Sequence, residues 1–255
     1  MQGLKVGVFA DNMGLGVWDG MKKAAEIGAD GVQFYTTSGP LSPENLPKEK
    51  RADVAKLLAD LGLTLSATCS DFGQGLVDEA KNRDLIPRIK ANIDLALDLG
   101  TTIITTHIGH VPADKNDPVW GVLVKALEEV GAYADSVGAV LATETGPEEG
   151  VTLVSLIESL KTRAIRVNFD PANFIIYGYD HRAAVDALRP YIVHTHAKDA
   201  KGKLEVPLGQ GDVDFPWYVG KLRSFGYDGF YTIEREVGPD PIGDIQQAIA
   251  FLRAL

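Results

Sequence analysis

Four short β-rich apolar runs in the second half of the chain each finish on a group able to ligate a cation or move a proton. Glu144 ends Ala142-Thr143-Glu144-Thr145-Gly146, and Asp170 stands in Asn168-Phe169-Asp170-Pro171-Ala172-Asn173. His196 lies in His194-Thr195-His196-Ala197-Lys198-Asp199, and Glu234 in Thr232-Ile233-Glu234-Arg235-Glu236. A carboxylate within an apolar segment is costly to bury unless it is paired or bound to a cation. Three carboxylates and one imidazole converging on one rim repel one another without a counter-charge. Together they form a hard, oxygen-rich set. It suits a divalent ion better than a structural zinc: Mn²⁺ first, with Co²⁺, Mg²⁺ or Zn²⁺ also compatible.

Each residue taken alone has a plainer reading. Glu144 could be a solvated loop residue or an ion-pair partner, and Asp170 before Pro171 a turn residue. His194 and His196 share a strand face, so either could be a hydrogen-bonded core histidine. Glu234 and Glu236 have the same parity, and spacing does not choose between them. The joint pattern points to metal because all four groups fall at one level. Other candidates surround the set. His107, at the end of Thr105-Thr106-His107, is a candidate for binding a substrate hydroxyl, or else a structural histidine; His110 reads as a loop residue. Lys198 could meet an anionic substituent of a substrate or pair with Asp199 on the rim. Cys69 reads as a small packing residue, since no base beside it would activate a thiol. Trp18 would wall the pocket or cover the barrel. No glycine-rich loop that would cradle a phosphate is visible.

Positioning these groups requires elements of a regular kind. Strand candidates occupy 4–10, 31–35, 64–69, 102–107, 139–144, 165–170, 191–196 and 230–234. Between them run helical patterns. One at 86–97 has an apolar stripe and a polar back, and a last one spans 245–255. Glycine separates helix from strand at Gly28, Gly62, Gly100, Gly138 and Gly226, where it can end a helix in the left-handed conformation. Dividing 255 residues by eight gives about 32, the size of one βα unit. Strands alternating with helices mean a parallel sheet, and eight units fit an α/β fold of the (β/α)8 TIM-barrel type. In such barrels the active site sits at the C-terminal ends of the strands. A doubly wound open sheet is disfavoured because no Gly-x-Gly-x-x-Gly follows the first strand. No linker divides the chain, so residues 1–255 read as one domain.

Composition removes other classes. The 255 residues are 45% apolar and 24% charged, as in a globular protein. Twenty-five basic against 35 acidic residues give a net charge of −10, which argues against general nucleic-acid binding. No apolar run reaches the ~20 residues of a membrane span, and the start of the chain does not read as a secretion signal. A single cysteine fits a reducing, cytoplasmic setting.

With those residues in place, the sequence resembles the xylose isomerase-like sugar phosphate isomerases/epimerases, a superfamily related to the tagatose/psicose 3-epimerases and to endonuclease IV. The resemblance spans nearly the whole chain. It is densest in the four segments quoted first, in Pro207-Leu208-Gly209-Gln210-Gly211-Asp212-Val213-Asp214-Phe215 and in Gly226-Tyr227-Asp228-Gly229-Phe230-Tyr231. It implies a TIM barrel with a metal held by Glu144, Asp170, His196 and Glu234, and it favours Glu234 over Glu236. It also implies that Glu144 and Glu234 act as a proton-transfer pair on a keto-sugar or related polyol, through an enediolate. The expected activity is isomerisation or epimerisation. Elimination of a β-leaving group, by a lyase or dehydratase, shares the same first step, and a non-catalytic sugar-binding barrel is a remoter alternative. A homo-oligomer is expected from the resemblance alone. The chain departs from the ketose 3-epimerases in two places: Asn173 stands where they carry a His, and Gly150 where they carry a second Glu. It also lacks the extra histidines of endonuclease IV. Nucleic-acid and membrane partners are not expected.

Overall fold

All eight β-rich runs are strands, and each strand boundary falls within one residue of its sequence-predicted position. In the computed structural model, which describes residues 3–255, they form a closed parallel barrel. The strands are β1 (Lys5–Phe9), β2 (Gly31–Tyr35), β3 (Thr64–Cys69), β4 (Ile103–Thr106), β5 (Val140–Glu144), β6 (Ile165–Phe169), β7 (Ile192–Ala197) and β10 (Phe230–Ile233). Between the last two lies a hairpin of β8 (Asp199–Lys201) and β9 (Leu204–Val206). Each barrel strand pairs with its successor, and β10 closes on β1 with Lys5 opposite Phe230. The barrel is therefore the α/β fold read from the sequence.

Helices α1 (Val17–Glu26), α2 (Lys48–Asp60), α3 (Glu79–Leu99), α4 (Pro118–Val137) and α5 (Gly150–Ser159) follow the first five strands. The β6–β7 connection holds two helices, α6 (Pro171–Tyr177) and α7 (His181–Leu188), where the sequence pattern predicts one. Gly178, at φ 82°, ends α6, and the Asp180 side chain caps α7 two residues later. Helices α8 (Phe215–Ser224) and α9 (Pro241–Arg253) complete the ring. The predicted helix at 86–97 is the middle of α3, which starts earlier because Asp78 accepts the Ala80 and Lys81 amides. The five junction glycines all take positive φ, between 71° and 98°. Among the described residues no helix is long and apolar enough to cross a membrane.

Strand alternation divides the sheet into two environments. Val6, Val8, Val32, Phe34, Ile104, Leu141 and Val167 are buried in the apolar core between strands and helices. The lumen is polar instead: Gln33, Ser66, Thr105, Asn168, His194 and Thr232 are all buried there. They satisfy one another. His194 Nδ1 donates to Asn168 Oδ1 (2.9 Å), and Thr232 Oγ1 donates to His194 Nε2 (3.1 Å). Ser66 Oγ donates to the Val32 carbonyl (3.0 Å). Burial pushes the His194 pKa well below the usual imidazole range, with His196 adding to the effect, so this ring is neutral.

Gly7 fits this lumen because it has no side chain: a Cβ there would lie 2.6 Å from Thr232 Oγ1 and 3.3 Å from Thr232 Cα. Gly7→Ala is expected to destabilise the fold by ~1–3 kcal/mol through overpacking. Urea denaturation of Gly7→Ala, Thr232→Ala and the double variant checks this. The double variant should recover part of the loss, because the obstructing hydroxyl is gone. Strict additivity of the two losses would contradict the contact.

Candidate metal centre

Strand β5 ends on Glu144, β7 carries His196, and Asp170 and Glu234 follow directly on β6 and β10. The structure brings these four sequence-predicted residues together. All four are buried, and one ligand atom from each lies within 4.8 Å of the others. His196 Nδ1 is 3.5 Å from Glu144 Oε2, 3.8 Å from Asp170 Oδ2 and 3.4 Å from Glu234 Oε2. The choice that parity left open is made by position: Glu234 joins the cluster, while the half-exposed Glu236 sits outside it against Lys198.

Two buried atoms in this cluster, Asp170 Oδ2 and His196 Nδ1, have no hydrogen-bond partner. Buried polar atoms are normally satisfied, and an orphaned pair facing two further carboxylates is the arrangement a cation completes. The plainer reading of Asp170 is also true of its other oxygen. Oδ1 caps α6 by accepting the Ala172 (2.8 Å) and Asn173 (3.3 Å) amides, leaving Oδ2 to the cluster. Three carboxylate oxygens and one imidazole nitrogen fit a hard divalent ion.

Electrostatics show what the cluster does without an ion. Burial raises the Asp170 pKa. Burial alone would lower that of His196, but Glu234 and Glu144 overcome it and hold the imidazole well above its ordinary range. Burial alone would raise Glu234, but His196 and Lys198 bring it well below the carboxylate range. The imidazolium thus supplies the counter-charge, and an entering ion must displace its proton.

The surrounding residues hold the carboxylates in place. Asn173 Nδ2 donates to Glu144 Oε1 (3.1 Å) and to the Thr145 carbonyl (2.9 Å), so this residue supports a cluster glutamate. Asn168 Nδ2 donates to Glu144 Oε2 (3.2 Å). At Gly150, where the ketose 3-epimerases carry a Glu, a Cβ would lie 2.9 Å from Ala184 Cα. That position serves the packing of α5 on α7.

Lys198 is 5% exposed and does not pair with Asp199. Its Nζ donates to Glu234 Oε2 (2.9 Å) and to Glu236. Burial opposes its charge, yet Glu234 and Asp170 hold its pKa above the usual lysine range. The Asp199 carboxylate accepts the Gly209, Gly211, Val213 and Ala200 amides instead.

His107 stands at the mouth with 45% of its side chain exposed, its Nε2 3.6 Å from Glu144 Oε1. Its Nδ1 is 2.8 Å from Asp71 Oδ2. Glu144 raises its pKa to about 9 against burial, with Asp71 helping. Cys69 is buried, and burial pushes its thiol well up, as suits a packing role. His110 and Trp18 are exposed.

Sequence reasoning missed Asp71 and Glu148. Glu148 is buried beside the site and accepts the Gly146 (3.3 Å) and Val111 (3.4 Å) amides. In Pro147-Glu148-Glu149 nothing local separates it from its exposed neighbour.

With this geometry in view, a family model described as "Xylose isomerase-like TIM barrel" matches residues 21–255. The L-ribulose-5-phosphate 3-epimerase UlaE of Escherichia coli is 24% identical over 249 residues, covering 92% of this chain and 88% of the relative. A solved xylose isomerase domain protein from Planctomyces limnophilus superposes with a TM-score of 0.87 at 28% identity, over 98% of this chain and 96% of its own. The probable 3-DHS dehydratase AsbF from Bacillus anthracis shares the fold at 17% identity, with a TM-score of 0.81 and 98% of both chains covered.

Burial raises the Glu148 pKa from 4.5 to about 7 in the folded chain. A carboxyl with a raised folded pKa contributes stability below its unfolded pKa and loses it as pH rises through the folded value. From about pH 5 to about pH 8, the metal-free protein should lose on the order of 2 kcal/mol that Glu148→Gln does not lose. Urea denaturation across that range checks this; parallel profiles for the two proteins would contradict it.

Proposed function

The chain belongs to the xylose isomerase-like TIM barrel family, and from that premise we propose that it is a divalent-metal-dependent isomerase or epimerase of an uncharged keto-sugar or related polyol. The observation that carries this reading is the meeting of Glu144, Asp170, His196 and Glu234 around two orphaned buried atoms. These four residues would hold the ion, with Mn²⁺ the best match to the ligand set. When bound, the ion supplies Lewis-acid polarisation of a carbonyl and neutralises charge that develops as a neighbouring proton leaves.

The chain's own residues do the rest. Glu144 and Glu234 approach the centre from different strands, so a substrate lying across the mouth meets a carboxylate on each side. One takes the proton α to the carbonyl. The other, carrying a proton taken up from solvent, gives it to the opposite face, inverting that centre, or to the adjacent carbon, giving isomerisation. Asn173 and Lys198 keep the two carboxyl groups aimed through the hydrogen bonds described above. His107 offers Nε2 to a substrate hydroxyl at the mouth.

Charge favours an uncharged substrate over a sugar phosphate. Around the mouth Lys198 is taken by Glu234 and Glu236, and Arg235 by Glu205 (2.6 Å) and Asp244 (2.9 Å). The glycine amides at 209 and 211, which would suit a phosphate, are held by Asp199. One observation favours β-elimination as a second reading. His107, half-exposed at the mouth with Nδ1 on Asp71 and Nε2 3.6 Å from Glu144, is placed to give a proton to a departing oxygen.

Incubation of the Mn²⁺-loaded enzyme with free ketoses in D₂O, followed by NMR, tests the reaction. Deuterium should enter at the α-carbon with formation of an epimer or isomer. A chelator should stop it, and Glu144→Gln or Glu234→Gln should slow it by ~10²–10⁴-fold. A dehydrated product without an epimer would select elimination, and no exchange across the ketoses would sink both readings.

The charge argument makes a separate demand. For a matched pair of free and 5-phosphorylated ketoses, kcat/KM should favour the free sugar at least ~10-fold, about 1.4 kcal/mol of discrimination. Preference for the phosphate would overturn it.

A further inference from the structure

An imidazole that binds a cation must present a bare nitrogen, and the ring's one remaining proton then sits on the other nitrogen. Nδ1 of His196 faces the three carboxylates and has no hydrogen-bond partner. Nε2 is the nitrogen that must carry the proton, and it is buried in the lumen. Two groups lie at hydrogen-bond distance from it: Gln33 Oε1 and Asn168 Nδ2, each at 3.2 Å.

These two neighbours ask for opposite tautomers. The Asn168 amide is oriented by its other contacts. Its oxygen accepts from His194 Nδ1 (2.9 Å), and its nitrogen donates to the Glu144 carboxylate (3.2 Å). Toward His196 it presents hydrogens, which favour a bare Nε2. Gln33 is oriented the other way. Its Nε2 donates to Thr105 Oγ1 (2.9 Å), and the Thr105 hydroxyl in turn donates to the Thr68 carbonyl (3.4 Å). That chain turns the Gln33 oxygen toward His196. Among the described contacts of Nε2, Gln33 alone accepts.

We propose that Gln33, on β2 across the lumen from β7, is the positioning residue that keeps the His196 proton on Nε2 and so leaves Nδ1 free for a divalent cation. Gln33 touches neither substrate nor ion. It acts through His196, as outer hydrogen-bond partners of metal-binding histidines do. The site's sequence signature is faint: one fully buried amide, Gln33, between Val32 and Phe34 in an apolar strand. The inference rests on the metal reading above.

The test is calorimetric titration of Mn²⁺ into the full chain as wild type, Gln33→Met and Gln33→Glu. It is joined by ¹H–¹⁵N spectra of the histidine rings in the Zn²⁺-loaded proteins. Gln33→Met keeps the volume but removes the acceptor, and should weaken Mn²⁺ binding ~10–100-fold. It should also strip the His196 Nε2 proton of its hydrogen-bonded shift and its protection from exchange. Gln33→Glu restores an acceptor, and should keep near-wild-type affinity and the Nε2–H signal. Wild-type affinity in Gln33→Met would overturn the assignment. So would equal losses in both variants, which would mark a merely structural role. A wild type that binds no Mn²⁺ would overturn the metal reading itself, and this inference with it.

Discussion

Three carboxylates and an imidazole are buried within a few ångströms of one another at the C-terminal end of the barrel. Burying even one charge is expensive unless something compensates it. The neighbourhood is organised around that demand. Lys198 is sunk beside Glu234, two asparagines donate to Glu144, and one oxygen of Asp170 is given to a helix N-terminus. These contacts leave two atoms, His196 Nδ1 and Asp170 Oδ2, that no hydrogen bond among the described residues satisfies. A divalent ion is the simplest completion, because it removes the repulsion and both orphaned atoms at once.

The same demand explains a lumen that departs from the usual barrel filling of branched apolar side chains. The ladder Thr232, His194, Asn168 climbs from the lumen interior to Glu144, and Gln33 with Thr105 approaches His196 from the opposite wall. A half-satisfied polar network is worse than an apolar core, whereas a satisfied one fixes geometry. Here it fixes which way two amides point, and through them the state of the imidazole. Gly7 belongs to this design, since its missing side chain gives Thr232 its room.

The features legible in the sequence were the ones written locally. Short β-rich apolar runs mark all eight strands to within a residue, and the junction glycines mark the helix ends. The four cluster residues were readable because the barrel puts every strand end on one rim, so residue type at a strand end carries information. What escaped notice depends on contacts distant in sequence. Glu148 and Glu149 are adjacent and chemically alike, and only packing buries one and not the other. Lys198 looked ready to meet a substrate anion or Asp199, but its partners lie 36 and 38 residues away on the loop after β10. Asp71, beside His107, comes from the loop after β3, 36 residues away, and Gln33, beside His196, comes from β2, 163 residues away. The double helix between β6 and β7 hangs on one left-handed glycine and one capping aspartate, too little for periodicity to register.

The central claim is that these four side chains enclose a divalent cation. Anomalous X-ray scattering from a crystal soaked in Mn²⁺ tests it most directly. The account predicts one strong peak per chain, enclosed by Glu144, Asp170, Glu234 and the Nδ1 atom of His196. A map with no peak there, and with His196 Nδ1 hydrogen-bonded to one of the three carboxylates, would contradict it.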